Sequence, residues 1–265
     1  MTRPLRIEFE NAVYHVTARG IERRDIVVDD KDRTKWIEYL AQACERHGVV
    51  VYAFALMDNH YHLFVRTPQA NLSRAVHDLN ASYAGWFNRR HGRVGHLLAG
   101  RFKAILVDSE GYYWAVSRYI HLNPVRAGMA KRPEDYKWSS YRGYQWPSRK
   151  LAWVAYDEVL GEAGKAGTVY AKYREFVRAG VKVPPESPFA RVVGGLLLGR
   201  EKFVNEIKRL LGARVEGREV QARRKLRTRP AFERICEVVC GEYGTDPSEV
   251  NKKRKRGNAA KQAAV

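Results

Sequence analysis

Mostly apolar runs with His, Thr and Arg set between them over residues 13–19 and 60–67 read as two strands, on which successive side chains point to opposite faces. Residues 49–56 are rich in β-branched and aromatic side chains. With Asp58-Asn59 marking a turn before residue 60, they predict a hairpin. Helical spacing appears in three places. Trp36, Leu40 and Cys44 form one stripe over 30–47, and Leu72, Val76, Leu79 and Tyr83 form another over 71–90. Residues 109–122 read as a third helix, with Ser109 as N-cap and Glu110 suited to the first turn. Proline disfavours helical backbone in the residue before it, so Pro124 is expected to end that helix near Asn123. Residues 101–107 alternate as a further strand. The order β-α-β-β-α-β predicts an α+β domain with a ferredoxin-like antiparallel sheet, a split βαβ arrangement.

Beyond Trp138-Ser139-Ser140-Tyr141 the pattern loosens. Residues 151–180 look helical, and Pro184-Pro185-Glu186-Ser187-Pro188 is a breaker that reads as a linker. Residues 189–211 return to helical spacing, with Phe203, Ile207 and Leu210 on one face. Residues 229–243 form another amphipathic stretch before the turn Gly244-Thr245-Asp246-Pro247-Ser248. Three segments are therefore expected: a domain over 1–145, a helical extension and linker over 146–186, and a basic helical domain over 187–265.

The charge balance supplies a partner class. Lys and Arg number 48 against 29 Asp and Glu, a formal +19, and such an excess favours polyanions through counterion release. Six Trp and 15 Tyr offer surfaces on which unpaired bases could stack. No run of 18 apolar residues exists and no basic-then-apolar leader opens the chain, so membrane and secretory readings are set aside and a cytoplasmic, nucleoid-associated protein is expected. Cys44, Cys236 and Cys240 read as reduced thiols, since a pair four apart on a helix without further ligands suits neither zinc nor a disulfide.

Candidate chemistry sits at two places. In His60-Tyr61-His62 the two imidazoles, being two apart on a strand, share a face and make half of a divalent-metal site. Downstream, Tyr119 and Asn123 of Tyr119-Ile120-His121-Leu122-Asn123-Pro124-Val125-Arg126-Ala127-Gly128 are four apart and share a helix face. A phenol there would be the nucleophile and the amide a third ligand. Tyr112 and Tyr113 lie on the same helix as rivals, but neither is followed by the Asn-Pro-Val-Arg-Ala-Gly run. His121 points off the Tyr119 face and reads as structural or DNA-contacting. His15 reads as packing or support for the metal ligands. The loop Arg89-Arg90-His91-Gly92-Arg93-Val94-Gly95-His96 is basic and glycine-containing, so Arg89, Arg90 and Arg93 are expected to contact a phosphate backbone, joined by Arg101, Lys103 and Arg126.

Taken together these stretches resemble the single-tyrosine transposases of the HUH endonuclease superfamily, and within it the REP-associated tyrosine transposases. Tyr14-His15-Val16-Thr17-Ala18-Arg19-Gly20 and the run from Gly95-His96 to Arg101-Phe102-Lys103-Ala104 add to the likeness, which covers about residues 5–145. The resemblance implies a metal-dependent endonuclease and strand transferase. Tyr119 would attack a phosphate of single-stranded DNA, giving a 5′-phosphotyrosine and a free 3′-hydroxyl that later permits joining. His60 and His62 would hold Mg2+ or Mn2+, with Asn123 standing where relatives often carry Gln; the two imidazoles alone would equally suit zinc. The implied DNA is a palindromic hairpin with a flanking single strand, of the repetitive extragenic kind, and a homodimer is among the assemblies such proteins adopt. The end of the chain resembles the helix-turn-helix of bacterial replication initiators, which would set Lys252, Lys253, Arg254, Lys255 and Arg256 on duplex DNA.

Two other classes are open to the same residues. A catalytically silent DNA binder would use the same surface, although the intact His60, His62 and Tyr119 argue for chemistry. An RNA-binding sheet would need an Arg/Lys-Gly-Phe/Tyr pattern on its strands, which is missing.

Overall fold

The computed structural model describes residues 6–161 and 168–214. The chain divides into two units, Met1–Glu219 and Val220–Val265, and every described residue lies in the first. The expectations for Cys236, Cys240, residues 229–248 and Lys252 to Arg256 therefore fall outside the described residues.

Strands β1 (Ala12–Arg19), β2 (Val50–Leu56), β3 (His60–Thr67) and β4 (Lys103–Val107) alternate with helices α1 (Asp30–His47), α2 (Leu72–Arg90) and α3 (Ser109–Arg126) in the expected order. The sheet runs β2-β3-β1-β4, all antiparallel, as a split βαβ arrangement requires. Helices α1 and α2 cover one face. Trp36 of α1 packs on Tyr61, and the Tyr61 hydroxyl donates to Asn80 of α2 at 2.8 Å. The other face receives α3, with Tyr113 against Tyr52 and Phe64. Helix α1 keeps its expected bounds because both ends are capped. The Asp29 carboxylate accepts from Asp32 N at the start, and Gly48 takes a left-handed φ of +64° at the end.

Three expectations are corrected. Pro124 does not stop α3, which continues to Arg126 with the proline inside it. Within the last turn the missing N–H forfeits a single hydrogen bond, and the stop is set four residues later by Gly128. There φ is +72°, Gly128 N donates to Val125 O and Met129 N to Pro124 O, the paired bonds of a Schellman end. Second, residues 151–180 are not one helix but α5 (Tyr156–Gly161) and α6 (Val169–Lys182), which follow the short α4 (Tyr141–Gln145). Helix α6 approaches α3 closely, since a side chain at Gly180 would meet Leu122 at 2.8 Å.

Third, the proline breaker does not separate two bodies. After a single 3-10 turn, Pro188–Arg191, Leu197–Leu198 forms β5 and pairs parallel with β4, making the sheet five-stranded and mixed. The edge of β4 otherwise leaves backbone groups unpaired. Here Leu106 N donates to Leu196 O at 2.8 Å and Asp108 N to Leu198 O at 2.7 Å. Arg200 Nε then pairs with the buried Asp108 at 2.8 Å as α7 (Glu201–Arg214) begins. The stretch 189–211 is thus a 3-10 turn, a strand and a helix rather than one helix.

Candidate active site

Strand β3 is interior, so both of its edges are bonded and its alternation is rigid. His62 pairs with Thr17 of β1 and His60 with Arg19. Paired residues share a face, and His15 lies two residues from Thr17 on that same face. As a result His15 Nε2 and His62 Nδ1 meet at 2.9 Å, with the rings stacked at 5.2 Å. His60 and His62 stand edge to face with centroids 5.0 Å apart. From the helix above, the Tyr119 ring comes within 5.9 Å of His62 and 6.1 Å of His15, centroid to centroid. Strand and helix residues far apart in the sequence therefore share one small space.

The imidazoles there are neutral near pH 7. Burial pushes His15 down to about 3. Burial, then the Arg19 charge, lowers His60 to about 4, with Asp58 opposing. His62 is held well below its usual value by burial and then by His15, His60 and Arg19. Neutral rings have a lone pair to offer, and hydrogen bonds say where. His60 Nδ1 donates to Asn59 Oδ1 at 2.6 Å, and Asn59 Nδ2 is itself committed to Arg23 O. The His60 lone pair is therefore on Nε2. His62 Nε2 is buried without any hydrogen-bond partner. If His62 Nδ1–H donates to His15, that atom too carries a lone pair. A buried orphan nitrogen beside a second free nitrogen fits a divalent cation. No group of three His, Cys, Asp or Glu side chains suited to a metal exists among the described residues. Any further ligand would have to be an amide, water or substrate oxygen. Asn123 donates from Nδ2 to Tyr119 O at 2.8 Å, leaving Oδ1 as its free acceptor.

The rival tyrosines are placed differently. Tyr113 donates to Tyr52 Oη at 3.2 Å, inside the aromatic cluster. Tyr112 lines a cleft beside Tyr119 without a ring contact to the histidines. His121 is buried and structural, bonded to Tyr173 Oη at 2.9 Å and Ser140 Oγ at 2.8 Å.

Of the expected DNA contacts, Arg126 lies over the Tyr119 ring at 4.9 Å. Lys103 is exposed and pairs with Thr17, in the same row and on the same face as His62. Arg101 is exposed next to that strand, and Arg89 is exposed at the end of α2. Arg93 sits 5.7 Å over Phe87. Arg90 is committed to a charge network. It binds Asp29 at 2.6 Å and also the fully buried Asp32, whose carboxylate additionally meets His91 Nε2 at 3.0 Å. A buried carboxylate needs a cation, and Arg90 supplies it.

Two residues join the site without having been foreseen. Arg19 is exposed directly across from His60, a position that strand alternation alone would have flagged. Phe189 stacks on His15 at 4.3 Å and meets Tyr119 edge-on at 4.8 Å. It lies past the proline breaker, in a segment read as another domain.

The candidate site is thus a two-histidine strand under a tyrosine helix, on a ferredoxin-like sheet. Residues 8–123 match the family model of IS200-like transposases. Among solved structures, the chain is similar to a REP-associated tyrosine transposase bound to a REP hairpin. The identity is 16%, over 63% of this chain and 94% of that one, with a TM-score of 0.49. It is also similar to a protein of Deinococcus radiodurans R1 assigned as a transposase, at 17% identity over 48% of this chain and 92% of that one, TM-score 0.33. No curated protein matches it. No helix among the described residues is long and apolar enough to cross a membrane.

Proposed function

We propose that the protein nicks and rejoins single-stranded DNA at hairpin-forming sequences, with Tyr119 as nucleophile. The observation that carries this is the convergence of Tyr119 on the His60–His62 pair, seated in one chain by β3 and α3. The Tyr119 oxygen would form a bond to phosphorus while the bond from phosphorus to the 3′-oxygen breaks. The phenol gives up its proton, the leaving oxygen takes one, and the result is a 5′-phosphotyrosine and a free 3′-hydroxyl. Attack by a 3′-hydroxyl on the adduct reverses the step and joins strands.

His60 and His62 would hold Mg2+ or Mn2+, with Asn123 Oδ1 as a further donor, and a bound cation supplies charge stabilisation at the phosphate oxygens. His15 would hold the His62 ring, Phe189 would keep water from the inner side of Tyr119, and Arg19 and Lys103 would take phosphate charge on the exposed face. Because Tyr119 meets histidines of its own chain, the site needs no second copy to be complete. Hairpin DNA, which the similar REP-associated structure binds, is the partner we assign.

The test is incubation with labelled hairpin and single-stranded DNA from beside the gene, with Mn2+ or Mg2+, followed by denaturing electrophoresis. A covalent adduct that needs metal and is lost in Tyr119→Phe is expected. An adduct that survives in Tyr119→Phe would move the role to Tyr112, and tight binding with no adduct under any metal would make the protein a binder.

A further inference from the structure

Beside Tyr119 lies a cleft of about 190 Å³. Helix α3 forms one wall with Arg118, Tyr119 and Arg126, and the segment crossing over it forms the other with Pro185, Glu186 and Arg191. Arg126 comes seven residues after Tyr119, two helical turns, so both project along one stripe. The structure gives neither Arg118 nor Arg126 a carboxylate partner among the described residues. Arg118 lies 3.8 Å over Phe176 and donates to the Phe176 carbonyl, and Arg126 lies over Tyr119. Burial and the Arg126 charge hold the Arg118 guanidinium below its usual range, so the two cations repel one another. Across the cleft, Arg191 reaches Glu186 only at 4.0 Å, and both are largely exposed. Three guanidiniums and one carboxylate thus face a small opening beside the proposed nucleophile. Uncompensated like charges at close range are costly unless an anion joins them.

We propose that this cleft is a phosphate subsite, in which Arg126 and Arg118 seat one phosphate of a single DNA strand next to the phosphate that Tyr119 attacks. Arg191 closes over it from the opposite wall, and Glu186 opposes anion entry. The inference rests on the functional reading above and adds to it the path of the strand. The histidine side of Tyr119 takes the reacting phosphate, the arginine side takes its neighbour, and the backbone crosses the tyrosine between them. Arg126 is exposed, so its removal tests the subsite without disturbing the core, whereas Arg118 also packs on Phe176.

The experiment measures binding of a short single-stranded oligonucleotide by fluorescence anisotropy over a range of salt, in the Tyr119→Phe protein so that no covalent step intervenes. Arg126→Gln is expected to weaken binding about tenfold and to lower the slope of log K against log salt by roughly 0.7, one phosphate's worth for single-stranded DNA. Arg118→Gln added to Arg126→Gln should change the slope little further, because both cations serve one phosphate. Glu186→Gln should tighten binding about twofold, a sign that a merely structural role would not produce. Arg46→Gln, on the opposite face of the sheet, controls for lost charge. A neutral methylphosphonate placed beside the cleavage position should weaken binding by the Tyr119→Phe protein but not by the same protein carrying Arg126→Gln as well. If Arg126→Gln behaves as Arg46→Gln does while the wild type still forms the Tyr119 adduct, the subsite is wrong and the nicking reading stands. If the oligonucleotide does not bind the Tyr119→Phe protein and the wild type forms no adduct, both fall together.

Discussion

The contact between His15 and His62 makes a sharp prediction about metal affinity. Two nitrogens 2.9 Å apart must hold one proton and one lone pair between them. For His62 Nε2 to bind a cation, the proton must be on His62 Nδ1 and the acceptor must be His15 Nε2. His15→Leu keeps the site apolar and filled but removes that acceptor. It leaves a buried N–H unpaired, at a cost of about 1–3 kcal/mol, which the ring escapes by turning away from the site, and that loses the ligand. Residues that orient a ligating histidine are typically worth about 10–100-fold in metal affinity. The Leu variant is therefore expected to bind Mn2+ roughly 30-fold more weakly, whereas His15→Gln, with an amide oxygen able to accept, should stay within about threefold. Calorimetric titration with Mn2+ gives the affinities, and long-range 1H–15N spectra of the imidazoles show whether His62 carries its proton on Nδ1. In a His62→Ala background the His15→Leu change should have no further effect on affinity. A folded His15→Leu protein that binds Mn2+ as the wild type does, or a His62 ring protonated on Nε2, would refute the reasoning.

Two further outcomes follow from buried charge. His121 is neutral in the fold down to about pH 3 because of burial, while in the unfolded chain it takes up a proton near pH 6.5. Stability is thus fully present above about pH 6.5 and falls as pH drops below it. By linkage this group loses roughly 2 kcal/mol between pH 7 and pH 5, and His121→Gln should flatten the pH dependence of the urea midpoint by that much; an unchanged slope would show that His121 is solvated. Arg90→Gln removes the arginine cation from the buried Asp32, leaving it His91 and Val28 N, and should lower Tm by several degrees while leaving the salt slope of DNA binding unaltered, so a changed slope would make Arg90 a DNA contact.

What could be read along the chain was whatever repeats at short range. The bounds of α1 were legible because Asp29 and Gly48 do their capping within a turn of the helix, and the face shared by His60 and His62 follows from alternation alone. The Pro124 expectation erred because it weighed a local penalty without Gly128, whose left-handed backbone sets the stop. The role of Arg90 was hidden for a different reason. Nothing near it in sequence reveals that Asp32, on another helix, is fully buried and demands a cation. Strand β5 has two residues, and its neighbours Gly194 and Gly195 turn the chain at φ +62° and +73°. Two residues cannot show a period, so helical spacing on either side absorbed them.

The same limit explains why Phe189 and Arg191 went unseen. The stretch matched by the IS200-like family ends at residue 123, with the histidines, the tyrosine and the first turn of its surroundings inside it. Within that stretch alone, the edge of β4 would be open and Tyr119 would have nothing on its outer side. Residues 185–200 fill both gaps. Leu197–Leu198 closes the sheet edge, and the ordered pairing there anchors the preceding segment, so that Phe189 sits on His15 and Arg191 faces Arg126. The strand and the cleft wall belong to one segment, which leaves α6, passes Tyr119 and pairs with β4. A single backbone course therefore both completes the fold and walls the cleft beside the proposed nucleophile, which is why the arginines of that cleft come from two segments with no shared motif.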